Sequence, residues 1–114
     1  MSATPRSAVD LGLGNTLRLP CIAEWCAEVE DAGELPALID FARERALPTC
    51  VLGGGSNVVL PERLPGLVLR MCNRGIALVE ETATHRVLRV AAGESWHPFV
   101  LHCHEQGWHG LENL

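Results

Sequence analysis

The sequence predicts an α+β fold in which a βαβ unit is followed by a second, mainly antiparallel sheet. Three observations predict it. Residues 24–30 alternate strictly between apolar and polar, residues 35–46 carry a helical apolar stripe that leads into a short apolar run at 49–52, and two extended segments at 76–80 and 86–92 flank a polar turn. The 114 residues allow one domain, with 47% hydrophobic and 20% charged residues, the balance of an ordered globular protein.

Residues 1–14 mix Ser, Pro, Gly and Ala without a sustained period and read as a loose lead-in, so the domain is expected to run from 15 to 114. In the first strand Trp25, Ala27 and Val29 share one face, and Glu24, Cys26, Glu28 and Glu30 the other. Leu35, Leu38, Ile39, Ala42 and Ala46 then recur at helical spacing, with Asp40, Arg43 and Glu44 turned away. Gly33 is the expected N-cap, Pro36 falls in the first turn where its missing N–H has no helical partner, and Pro48 ends the helix. Residues 49–52 suit a buried parallel strand that completes the βαβ unit.

Residues 58–60 read as extended, and Pro61, Pro65 and Gly66 break the chain before the apolar run 67–71. Asn73-Arg74-Gly75 marks a turn, and the 76–80 and 86–92 segments form an antiparallel pair. Ser95 is placed to cap a helix whose buried stripe is Trp96, Phe99, Val100 and Cys103, with Pro98 in its first turn and Gly107 at its stop. The last residues, GLENL, close no element, and the chain reads as truncated there.

Charge and composition exclude several functions. Nine Lys+Arg against 14 Asp+Glu give a net charge of −5, without the basic surplus that grips nucleic acid or an anionic membrane. The longest uncharged stretch holds three consecutive glycines, which a lipid-facing helix would not, and the N-terminus lacks a secretory apolar core, so the expectation is a cytoplasmic protein with no membrane span. Cysteines at 21, 26, 50, 72 and 103 form an odd set without a C-x-x-C pair, as expected of reduced and mostly buried thiols.

The strongest chemical signal is Gly53-Gly54-Gly55-Ser56-Asn57-Val58, directly after a buried strand. Glycines here, Gly54 among them, are expected to permit positive φ and close backbone approach, so that successive N–H groups can cradle phosphate, with Ser56 and Asn57 adding donors. No Lys lies between 47 and 60, which removes a Walker loop, and Val58 stands where a Rossmann fingerprint needs glycine. On spacing alone the loop is either such a cradle, without its own cation, or a plain glycine-rich connection. His97, His102, His104 and His109 surround Cys103, but on a helix His102 and His104 lie about 200° apart and neither has a His three or four residues away, so no metal site is expected. Glu80 and Glu81 read as a solvated turn rather than a catalytic pair.

Asn15-Thr16, LGGGSNVVL at 52–60, AAGESWHPFV at 91–100 and GWHGLENL at 107–114, in this order, resemble the UDP-N-acetylenolpyruvoylglucosamine reductase family. The likeness covers residues 15–114 but only the N-terminal part of such an enzyme. The GGGSN loop alone is common to many flavoproteins of this fold, whereas its conjunction with GESWH and GLENL singles out the reductases. Leu17 departs from the pattern, standing where the family usually has an aromatic residue.

The resemblance implies a PCMH-type, vanillyl-alcohol-oxidase-like FAD-binding domain that holds FAD noncovalently. Gly53, Gly54, Gly55, Ser56, Asn57 and Val58 would lie on its pyrophosphate, and Ala92, Gly93, Gly110, Leu111 and Glu112 nearer the flavin. It also implies NADPH as reductant, and reduction of a UDP-N-acetylglucosamine enolpyruvate to UDP-N-acetylmuramate in peptidoglycan synthesis. The family's catalytic serine, arginine and glutamate fall beyond residue 114, so no catalytic residue is assigned here. Another FAD oxidase or dehydrogenase of the same fold, or a small nucleotide-binding module, remains open on the residues present.

Overall fold

A computed structural model describes residues 3–113. The chain forms β1 (Arg6–Asp10), β2 (Ile22–Val29), a 3-10 turn (Ala32–Glu34), α1 (Leu35–Glu44), β3 (Thr49–Leu52), β4 (Arg63–Met71), β5 (Ile76–Glu81), β6 (Arg86–Val90) and α2 (Trp96–Glu105). These make a four-stranded sheet ordered β1-β2-β4-β3 and a separate β5-β6 hairpin, an α+β arrangement with two sheets. No described helix is long and apolar enough to cross a membrane.

The β2-α1-β3 crossover is present, with two differences: β3 is an edge strand with only Leu52 buried rather than the buried strand expected, and β4 lies between β2 and β3 and pairs parallel with both. That central position explains why Leu67, Val68 and Leu69 are all buried, since both faces of an inner parallel strand are covered. One face packs Ala27, Val29, Leu67, Leu69 and Met71 against Leu38 and Ala42 of α1. The other packs Ala23, Cys26, Leu52 and Val68 under Leu11 and Cys21. Each such Leu or Val contributes roughly 1.5–3 kcal/mol through burial.

Several expectations are corrected. The lead-in is not loose throughout, because Arg6–Asp10 pairs antiparallel with β2 and Leu11 is buried. Cys26, read onto a polar face, is buried because the 11–21 segment covers that side of the sheet. Asp31, not Gly33, caps the chain's entry into the helix: its Oδ1 accepts the Gly33 N–H at 2.7 Å, a 3-10 turn follows, and α1 starts only at Leu35. Pro65 and Gly66 do not break β4 but lie inside it, opposite the register shift between Ala23 and Trp25. Residues 58–60 pair with no strand, although Val58 and Leu60 pack on the second core cluster.

The later elements follow the sequence reading closely. β5 and β6 pair antiparallel, and Glu81 is bound to Arg86 at 2.9 Å, so the 80–81 carboxylates belong to a hairpin end. Ser95 sits at the N-cap of α2 with extended backbone but no side-chain capping bond, only Phe99 and Cys103 of the expected stripe are buried, with Trp96 50% exposed and Val100 partly buried, and Gly107 ends the helix at φ 73°.

Candidate cofactor-binding site

β3 delivers the chain to the 53–58 loop, and the three glycines there have different physical reasons. Gly55 is required by the chain itself. It is buried with φ 76°, and a Cβ would collide with the Gly14 carbonyl oxygen and stand 2.7 Å from the Asn15 Cα. Its own carbonyl accepts the Thr16 N–H at 2.9 Å, which staples the loop to the 11–19 segment. That segment is fixed by Asn15, buried to 3%, whose Nδ2 donates to the Leu11 and Leu19 carbonyls at 2.9 and 3.1 Å while its Oδ1 accepts the Leu19 N–H at 2.9 Å.

Among the described residues nothing requires Gly53 or Gly54 to be glycine. Neither lies in the left-handed region, which corrects the positive φ expected at Gly54, and a Cβ on either would meet no atom within 4 Å. The N–H groups of Gly54, Gly55, Ser56 and Asn57 have no acceptor among the described residues, and the exposed Ser56 and Asn57 side chains make no hydrogen bond there. Open space in front of two glycines, beside a run of free donors, is what an anionic group needs in order to approach a backbone closely. The residues present therefore fit a diphosphate.

The remaining predicted contacts lie elsewhere in the chain. Ala92 is exposed after β6. Gly93 has a reason within the protein, since a Cβ would come 2.6 Å from the Asn73 N and the Cys72 C, and its N–H donates to Asn73 Oδ1 at 3.1 Å. Gly110 has φ 125° and donates its N–H to Glu112 Oε2 at 2.8 Å. The backbone N–H groups of Glu112 itself and of Gly110, with His109 Nδ1 at 3.0 Å, hold the Glu112 carboxyl down at about 2. Gly110 and the half-buried Leu111 line a cleft of about 510 Å³ with Arg86, Trp96, Phe99 and Trp108, and no residue of the 53–58 loop lines it.

The histidines group differently from the helical argument. His104 and His109 come to 5.9 Å between ring centroids, because the left-handed turn at Gly107 folds His109 back, and with Glu112 their ligand atoms lie within 4.8 Å of one another. All three are exposed. His102 instead packs edge-on to Trp108. The five cysteines are free, and burial pushes the Cys21, Cys26 and Cys103 thiols up.

One residue near the loop escaped sequence reasoning. Arg70 pairs in register with Leu52, one residue before Gly53, and its Nη1 comes within 3.2 Å of the position a Gly14 Cβ would take. No sequence signal places it there, because the pairing of β3 with β4 spans strands separated by a loop and is fixed by packing.

Residues 23–114 match the FAD binding domain family. The chain belongs to that family, and FAD is its cofactor. Among curated relatives it is 43% identical to the UDP-N-acetylenolpyruvoylglucosamine reductase of Chromobacterium violaceum, over 96% of this chain and 32% of that protein. The reductase of the same name from Pseudomonas fluorescens is 39% identical over 100% of this chain and 34% of its own length, and that of Bordetella pertussis 46% over 94% and 30%. The chain thus spans about a third of the length of these relatives.

Proposed function

We propose that the chain is the N-terminal FAD-binding part of a UDP-N-acetylenolpyruvoylglucosamine reductase, a PCMH-type domain whose sheet takes in β1 and so begins before residue 15. The observation that carries the reading is the pair Gly53 and Gly54, which no contact or backbone angle among the described residues requires. In this reading Gly53, Gly54, Gly55, Ser56, Asn57 and Val58 receive the pyrophosphate. Gly55 sets the curvature, Gly53 and Gly54 leave room, and the N–H groups of 54–57 supply donors. Ala92, Gly93, Gly110, Leu111 and Glu112 lie toward the flavin. Glu112, held ionised by its own backbone N–H, that of Gly110 and His109, shapes the 109–112 turn rather than exchanging protons.

Bound FAD supplies two-electron transfer; the chain's own residues bind and orient it. The intact protein would draw on NADPH and act on an enolpyruvyl UDP-sugar in the cytoplasm, feeding peptidoglycan and cell-wall synthesis, without a metal. Support for this comes from the three reductases, each matched over more than nine-tenths of this chain.

In this reading the proton-transfer groups belong to the part of the relatives that this chain does not span. NADPH oxidation dependent on UDP-N-acetylglucosamine enolpyruvate is therefore expected to be absent for the 114 residues given FAD, while FAD itself binds. Turnover by this chain alone would overturn the division of labour proposed here. A chain that binds neither FAD nor ADP would overturn the site.

A further inference from the structure

The glycine loop presents neutral donors to a ligand with two negative charges, and no Lys or Arg lies between residues 47 and 60. Arg70 is positioned to supply the missing charge. Its backbone lies one strand from Leu52, about 4.8 Å away in the hydrogen-bonding direction, at the base of the loop. It alternates with Leu67, Leu69 and Met71, which face α1, so it points with Val68 toward the side of the sheet that Leu11 and Gly14 cover. There its guanidinium rests against Gly14, and the Gly14 carbonyl is the atom that packs on Gly55. One shelf, residues 14–16, therefore touches both the arginine and the loop.

The side chain is half-buried and makes no hydrogen bond or ion pair among the described residues. Two carboxylates line the same hollow as Arg70. Glu28 is its register neighbour on β2, and Asp10 lines the same hollow with Arg6 and Cys26, yet neither bonds it. Asp10 Oδ1 is instead turned to the Gly12 N–H at 2.8 Å. A half-buried guanidinium whose donors face solvent rather than a protein partner is open to a bidentate anionic partner, and phosphate matches that fork.

We propose that Arg70 is a further phosphate-binding residue of the cofactor site, its guanidinium taking diphosphate oxygens from the Gly14 side while the N–H groups of 54–57 take them from the loop. This rests on the reading of the loop as the diphosphate cradle, and the two can fail separately.

The test titrates FAD, ADP and adenosine into the 114-residue chain and its Gly54→Val, Arg70→Gln and Arg70→Met variants, with far-UV circular dichroism to verify folding. Arg70→Gln is expected to weaken FAD and ADP by about 10- to 100-fold, the loss of one charge-assisted contact, to flatten their salt dependence, and to leave adenosine unchanged. Arg70→Met keeps the apolar stem packed and takes over if the Gln variant does not fold. Wild-type ADP affinity in the folded Arg70 variant, with Gly54→Val emptied, would overturn the role of the arginine and leave the loop standing. An equal loss for adenosine would mean that the arginine acts only on the fold, and would overturn the proposal as well. ADP binding untouched by both Gly54→Val and the Arg70 variant would remove the cradle and the arginine together.

Discussion

Replacing Gly55 by Ala should damage the fold, whereas the same change at Gly54 should not. At Gly55 the added Cβ forces a left-handed residue at φ 76°, which costs roughly 1–2 kcal/mol. The Cβ also meets backbone, the Gly14 carbonyl and the Asn15 Cα, which no side-chain rotation relieves. Moving that backbone breaks the 2.9 Å Thr16–Gly55 bond, worth about 0.5–1.5 kcal/mol. Together these predict a loss of about 2–3 kcal/mol for Gly55→Ala, a large share of the stability of a small domain. Gly54→Ala has open space around its Cβ and should stay within about 0.5 kcal/mol of the unmodified chain. Urea denaturation followed by far-UV circular dichroism gives both numbers from the shift in midpoint at constant slope. Equal stability of the two variants would refute the assignment of one glycine to the chain and the other to the ligand.

Asn15→Ala should destabilise by about 1–3 kcal/mol, because the Leu11 and Leu19 carbonyls and the Leu19 N–H lose their buried partner; a midpoint unchanged in urea would contradict that. Gly93→Ala should cost stability comparably by pressing on Asn73, so a loss of flavin binding without a loss of stability there would assign Gly93 to the cofactor instead. The raised thiols of Cys21, Cys26 and Cys103 stabilise the fold fully below their unfolded value of 9.0 and lose that contribution as pH rises past it, so under reducing conditions the midpoint should fall above pH 9. A flat profile to pH 10.5 would show these thiols to be solvated. Glu112 has the opposite sign: its lowered value supports the 109–112 turn above pH 4.5, and that support fades as pH drops toward 2, which amide chemical shifts of Gly110 should report.

Local signals in the sequence were legible where the chemistry was local. The helical stripe of 35–46, the hairpin about residues 82–85 and the Gly107 stop each follow from spacing or from a residue able to adopt an unusual backbone angle. Cys26 was misread because period-two alternation reports one buried face and cannot show that a loop from residues 11–21 covers the other. β1 was missed because its apolar content is low, and its pairing with β2 supplies what its own residues do not. At the site, the glycines were visible but not their division: Gly55 differs from Gly54 through its left-handed backbone and the Gly14–Thr16 segment that packs on it. Arg70 was invisible for the same reason, since the β3–β4 register brings it beside the loop.

The central claim is that residues 53–58 hold the FAD diphosphate, and phosphorus NMR of FAD titrated into the chain tests it most directly. Both FAD phosphorus resonances should shift and broaden with the unmodified chain. They should remain at their free positions with Gly54→Val, whose far-UV spectrum stays unchanged because its side chain fills only the space the phosphates would use. Identical bound shifts for the two proteins would place the diphosphate elsewhere and contradict the account.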